Sequence, residues 1–203
     1  MSLAVVIASC DRYSWFWPTW YHYFSKNFGF DYPVYLINES TPCNLDGVTQ
    51  ILSPVSGVGY WTKMLREAIK QIPEDDLFVL MDDFVIKEYI DIGFLYKTFK
   101  SLGMDSLRIM AVKNKWSRLT FRTSRKDVKF YSLDEDSDYS VSFSPNIWRK
   151  AFLMDCIKDD MNPWTCELSL KVKGDLWYTE ERGWYAPVLH NGVLTKEGKN
   201  FMK

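Results

Sequence analysis

The stretch Leu77-Phe78-Val79-Leu80-Met81-Asp82-Asp83-Phe84-Val85-Ile86 sets the reading of this chain. Pro73-Glu74-Asp75-Asp76 bounds an apolar run whose middle is broken by two adjacent carboxylates, the pattern of a buried strand that surfaces to deliver acids. Burying an unpaired carboxylate costs several kcal/mol, so two side by side call for a cation, a set of donors or water. Successive side chains of a flat strand alternate faces, which places the doublet at the bend where the strand ends and frees one acid for direct ligation. The same doublet also reads as the opening of an ordinary loop or a turn cap, so the rest of the chain has to decide.

A chain of 203 residues is long enough for one substantial core and short for two domains. A formal net charge of -1 gives no polyelectrolyte signature, which argues against nucleic acid as the main partner. Cys10, Cys43, Cys156 and Cys166 show neither paired nor zinc-ligand spacing, so they read as reduced structural thiols of an intracellular, cytoplasmic protein. The apolar run Leu3 to Ala8 is too short for a signal segment, and no stretch approaches the length of a membrane span. Nine tryptophans exceed what a small core needs; the surplus suits a cleft that binds sugar faces or bases.

Leu3 to Ala8 reads as a strand covered on both faces, ending in Ser9-Cys10-Asp11-Arg12. Ligands of open α/β sheets sit outside the carboxyl ends of the strands, so Asp11 and Arg12 are candidates for base, ribose or phosphate; a surface ion pair in a plain turn is the alternative. Ser14 is expected to cap a helix with Trp17, Trp20, Phe24 and Phe28 on its core face. Pro33 to Ile37 is a second strand ending in polar Asn38-Glu39-Ser40, followed by a loop through Pro42 and Pro54. Ser56-Gly57-Val58-Gly59 then leads into a helix through Trp61, Met64, Leu65, Ala68, Ile69 and Ile72. The glycines are too sparse for a dinucleotide fingerprint or P-loop, but a helix start beside Lys63 favours phosphate, unless that lysine is simply solvated. A helix over Asp91 to Leu102, stopped at Gly103, and a strand over Ser106 to Val112 continue the alternation, which predicts parallel crossovers.

Beyond this the character changes. Lys113, Lys115, Arg118, Arg122, Arg125, Lys126 and Lys129 precede an acidic run, residues 134–138, as two edges of a β-excursion or as a flap over a substrate. Tyr139 to Phe143 reads as a strand, and Ser144-Pro145 as the start of a helix carrying Ile147, Trp148, Ala151 and Phe152. Asn162-Pro163 repeats that grammar for a helix with Trp164 and Glu167 near its amino end. Trp184 to Leu189 is a last strand delivering His190-Asn191-Gly192, where His190 is either a loop residue or a further ligand for the carboxylate doublet.

The ordered set comprises Ala8-Ser9-Cys10-Asp11-Arg12 after a first strand, Met81-Asp82-Asp83 after a central one, a Ser-Pro-x-x-Trp segment, a Trp-x-x-Glu segment and a late His-Asn-Gly. In that order the chain resembles the GT-A class of nucleotide-sugar-dependent glycosyltransferases over nearly its whole length. It is also similar to the amino-terminal glycosyltransferase domain of a large chlorella-virus protein, which implies a piece of a longer polypeptide working in host cytoplasm. The resemblance implies a single α/β, GT-A-like domain with a mostly parallel central sheet flanked by helices and a small β-excursion. Residues 1–112 would form the nucleotide-binding half and 113–203 the acceptor-side half of a monomer. It further implies transfer of a hexose from a UDP-sugar to a hydroxyl of a glycan or glycoprotein.

By resemblance the family's Asp-x-Asp element falls on Met81, Asp82 and Asp83, with Asp83 on the metal and Asp82 near the ribose or donor sugar; Met81 departs from the pattern. A hard cation on Asp83, joined by His190, would neutralise charge developing on the leaving phosphate, and a histidine ligand favours Mn²⁺ over Mg²⁺. Ala8, Ser9, Asp11, Arg12, Asn38 and Lys63 complete the expected nucleotide site, and Glu167 would serve the acceptor as base or positioning group. A non-catalytic carbohydrate- or nucleotide-binding module is the rival reading; an aspartyl phosphatase is disfavoured because its acids alternate rather than adjoin.

Overall fold

The computed structural model describes residues 2–109, 128–133, 139–158, 160–180, 183–190 and 192–202, and the backbone of 117–122. In chain order the first half contains β1 (Leu3–Ala8), α1 (Trp17–Asn27), β2 (Val34–Asn38), β3 (Val48–Leu52), α2 (Trp61–Ile69), β4 (Asp76–Met81), β5 (Phe84–Ile86), α3 (Ile92–Ser101) and β6 (Ser106–Ile109). The second contains β7 (Ser117–Arg122), β8 (Lys129–Leu133), β9 (Asn146–Arg149), α4 (Lys150–Cys156), α5 (Pro163–Ser169), β10 (Leu176–Thr179), β11 (Tyr185–Pro187), β12 (Leu189–His190) and β13 (Val193–Leu194).

Nine strands form one sheet in the order β3-β2-β1-β4-β9-β6-β10-β8-β7. The pairings make β9 and β8 run against the other seven, so the sheet is mostly parallel in direction. Alternation along β1 shows why the two faces are helix-covered. Leu3, Val5 and Ile7 pack with Trp17, Trp20 and Phe24 of α1 and Leu95 and Phe99 of α3. Ala4, Val6 and Ala8 pack with Met64, Leu65 and Ala68 of α2, Leu153 of α4 and Cys166 of α5. A strand buried on both faces has no polar position to spare, which is why its sequence is an unbroken apolar run.

Several local readings are corrected. The run 77–86 is two strands: β4 stays in the main sheet, while β5, beyond Asp82-Asp83, leaves it to pair antiparallel with β11. Ser14 caps nothing, since a 3-10 segment over Asp11–Phe16 precedes α1, whose cap position is Phe16. The loop through Pro42 and Pro54 contains β3, in full register beside β2. Residues 139–143 form no strand: 139–141 are turn and bend, with Tyr139 at φ 57, and 142–143 are irregular. Residues 146–149, expected to be helical, form β9 between β4 and β6. Ile147 and Trp148 therefore face opposite layers, a period of two rather than 3.6, and the helix starts only at Lys150.

The β-excursion is present as the β7–β8 pair at the sheet edge. Lys113, Lys115, Arg125, Lys126, residues 134–138 and Asn191 lie outside the described residues, as do the side chains of Arg118 and Arg122. Among the described residues no helix is long and apolar enough to cross a membrane.

Candidate functional site

The parallel register aligns Ala8 with Met81, so β1 and β4 end side by side and Ser9 and Asp82 emerge together. Ser9 Oγ donates to Asp82 Oδ2, and the Trp17 indole N–H reaches both Ser9 Oγ (2.8 Å) and Asp82 Oδ2 (3.1 Å). Asp82 is 1% exposed. Burial pushes its carboxyl up to about 8, against the Ser9 bond, and the neighbouring Asp83 charge pushes the same way. Asp82 thus clasps two strand tips and the start of α1, with burial favouring its protonated form.

Asp83 occupies the other half of the turn. Its backbone carbonyl accepts from Val188 N (2.9 Å) and Leu189 N (3.0 Å), which ties the link between β11 and β12 to this turn and brings His190 to the cleft. The Tyr185 hydroxyl meets the Met81 backbone, donating to its carbonyl at 3.3 Å, and the ring stacks on Phe84 at 4.5 Å. The Asp83 side chain is therefore held at the cleft by its own backbone. Burial raises its pKa to about 6, and Oδ1 is buried with no hydrogen-bond partner among the described residues.

The cleft these tips open into has a volume of about 620 Å³ and a lining of two kinds of residue. Ser9, Cys10, Arg12, Tyr13, Glu39, Asp82, Asp83 and His190 supply polar groups; Gly57, Val58, Trp61, Met64, Pro163 and Trp164 supply an apolar surface, and Ala8 and Met81 lie at the strand ends. The Arg12 guanidinium rests against Gly192 in the β12–β13 turn, where a Cβ would lie 2.8 Å from Nε. The Cys10 thiol is pushed up to about 12, by burial first and then by Asp82 and Glu39, so it stays protonated.

Of the residues expected to form a nucleotide and metal site, Ala8, Ser9, Arg12, Asp82, Asp83 and His190 line this cleft. Four others are placed elsewhere. Asp11 is engaged by Ser40 N, Ser40 Oγ, Thr41 N and Asn38 Nδ2. Burial opposes its ionisation, but these donors win and hold the carboxyl well below the usual range. Asn38 is fully buried and spends its amide on Asp11, Thr41 and Gln50, so both residues brace the β1 and β2 tips. Lys63 projects from α2 toward Asp160 (3.9 Å). Glu167 accepts the Phe143 backbone N–H at 2.6 Å, which braces the 139–143 segment, and it is not among the residues that line this cleft.

Tyr13, Glu39 and Trp164 line the cleft without having been assigned to the site from sequence. Glu39 carried a signal, as the middle of a polar strand tip. Trp164 carried one too, in its place behind Asn162-Pro163.

No protein-family model matches the chain, and no curated protein matches it. Solved structures do. S. aureus TarS superposes with a TM-score of 0.58 at 13% identity, over 91% of this chain and 36% of that one. S. aureus TarS 1-349 in complex with UDP-GlcNAc gives 0.51 at 15% identity, over 90% of this chain and 59% of that one. HddC from Yersinia pseudotuberculosis gives 0.55 at 14% identity, over 98% and 97%. The fold is GT-A-like. The chain spans 36% of the length of the TarS chain and 59% of the 1-349 portion.

Within this GT-A-like domain the donor set available to a divalent cation is small. Among the described residues no group of three or more His, Cys, Asp and Glu side chains converges. Asp83 still fits such an ion, because a buried carboxylate oxygen without a donor is what a cation would satisfy, and His190 lines the same cleft.

Proposed function

We propose that this chain is a nucleotide-sugar-dependent glycosyltransferase that moves a hexose from a UDP-sugar to a hydroxyl of a glycan or glycoprotein. The observation that carries the reading is Asp83 at the carboxyl ends of two parallel strands: it lines a cleft with Arg12 on its wall, and its buried Oδ1 has no hydrogen-bond partner among the described residues. The same fold in S. aureus TarS has been solved in complex with UDP-GlcNAc and with UDP, which supports a uridine diphosphate donor here.

Asp83, with His190, would hold Mn²⁺ or Mg²⁺, whose positive charge would neutralise the diphosphate as the glycosidic bond breaks. Arg12, steadied against Gly192, adds fixed positive potential beside the same phosphates. Asp82 acts as a positioning residue: its bonds to Ser9 and Trp17 hold the β1 and β4 tips together, and burial favours its protonated form beside Asp83. Glu39, whose Oε2 accepts the Asp11 backbone N–H at 2.6 Å, places a carboxylate near a ribose or base at the β2 tip. Membership of a longer viral polypeptide in host cytoplasm belongs to the same proposal, on the strength of the sequence resemblance.

The test is calorimetry with UDP, UDP-glucose and UDP-N-acetylglucosamine, with and without Mn²⁺, alongside release of UDP from the donor. Metal-strengthened binding with slow donor turnover is expected. Sugar affinity that ignores the metal, without turnover, would make the chain a binding module instead.

A further inference from the structure

The polar lining of the cleft accounts for a diphosphate and its cation; Trp164, also part of the lining, has no role in that account. Trp164 lines the cleft and yet is 58% exposed. Its mounting is rigid. Asn162 caps α5 by accepting from Thr165 N at 2.7 Å, and Pro163 fixes the first helical position. Just before it, Met161 and Thr62 of α2 exchange three bonds: Thr62 N and Oγ1 both donate to the Met161 carbonyl (3.1 and 3.2 Å), and Met161 N donates to Thr62 Oγ1 (2.7 Å). Gly57, at φ 99 with open space where a Cβ would lie, and Val58, 59% exposed, line the same cleft.

A large aromatic ring is thus held on a braced support while most of its surface is left to solvent, in a cleft that Gly57, Val58, Met64 and Pro163 also line. Exposed aromatic surface on a preorganised cleft wall marks a binding surface rather than a packing one. A nucleobase seated there would leave its edge donors and acceptors against apolar groups. A pyranose presents C–H bonds on its face and hydroxyls at its rim, so it can cover the indole while its hydroxyls turn to water and to the polar lining.

We propose that Trp164 is the platform for the acceptor saccharide, stacking on the face of a pyranose ring at the mouth of the cleft. The proposal rests on the glycosyltransferase reading above, and the experiment separates the two. Saturation-transfer NMR is recorded on the full chain with methyl pyranosides of glucose, galactose, mannose and N-acetylglucosamine, with and without UDP and Mn²⁺. UDP affinity is measured in parallel by calorimetry on wild type, Trp164→Ala and Trp164→Phe.

In wild type at least one pyranoside receives saturation at its ring C–H protons. Trp164→Ala weakens that binding about tenfold, Trp164→Phe restores most of it, and UDP affinity stays within about twofold in both. Trp15, 48% exposed and away from the cleft lining, supplies the control: Trp15→Ala leaves pyranoside binding unchanged. Pyranoside binding that survives Trp164→Ala overturns the platform, as does a tenfold loss of UDP affinity, which would make the ring a donor site. Wild type that binds UDP but no pyranoside overturns the platform alone, and wild type that binds pyranoside but not UDP overturns the nucleotide reading alone.

Discussion

Strand β4 carries buried acids at both ends, and the two ends have opposite uses. At the amino end Asp76 is fully buried, and its Oδ2 accepts from the Tyr96 hydroxyl (2.7 Å) and the Lys100 ammonium (2.7 Å), both on α3. At the carboxyl end Asp82 is bonded by neutral donors, and Asp83 is raised to about 6 by burial. The first end carries its own cation, delivered by the fold. Asp76 Oδ1 and Asp83 Oδ1 are both buried without a hydrogen-bond partner among the described residues, but of the two Asp83 is the one that lines the cleft, within reach of a cation from outside. A buried acid by itself therefore says little; what marks a site is a buried acid that lines a cleft rather than one ion-paired against a helix of its own core.

The contrast fails or holds on four measurements. Asp83→Ala is expected to lower metal-dependent donor turnover by about 10²–10³-fold while leaving the melting temperature unchanged or slightly raised, because it removes an unpaired buried group. Equal turnover in the variant, or in wild type after chelation, would shift the catalytic charge to Arg12. Lys100→Met should do the converse: nucleotide affinity stays the same, and stability falls by about 3 kcal/mol, or about 6–12 °C in Tm, because Asp76 loses its partner. A thermal melt beside a UDP titration decides whether the two ends are separable in this way.

The third measurement is the pH profile of stability. Asp82 and Asp83 have raised pKa values, so above the ordinary carboxylate range the folded chain keeps protons that the unfolded chain releases. Their contribution is complete below about pH 4 and is lost as pH rises through about 6 and then about 8. Melting temperature should fall across that window, Asp83→Asn should flatten its lower part, and Asp82→Asn its upper part. Excess Mn²⁺ with UDP should remove the lower step by favouring ionised Asp83.

The smallest effect is expected at Gly192. A Cβ there would press on the Arg12 guanidinium at 2.8 Å, and the residue sits at φ 79. Gly192→Ala should cost about 1 kcal/mol of stability and weaken UDP a few-fold by moving Arg12. An unchanged UDP affinity would mean that Arg12 does not need this support.

By itself the sequence determined the parallel, doubly covered half of the domain and the position of the acids. Leu3–Ala8, Val34–Asn38 and Asp76–Met81 are apolar runs, and such runs become buried strands wherever they lie. The break at Asp82-Asp83 is likewise local, since a strand cannot carry two adjacent charges into a core. The tertiary structure decided what depends on partners distant in sequence. The stretch around Ile147 and Trp148 satisfies helix grammar, and only the open places beside β4 and β6 make it a strand. Asp11 and Asn38 look like ligand residues until Ser40, Thr41 and Gln50 are seen to occupy them. Glu167 is aimed by the Phe143 backbone, and Trp164 reaches the cleft because Thr62 locks Met161 to α2. Polar side chains are committed by whichever donors and acceptors the fold brings within about 3 Å, and that information is carried by contacts across the chain rather than by spacing along it.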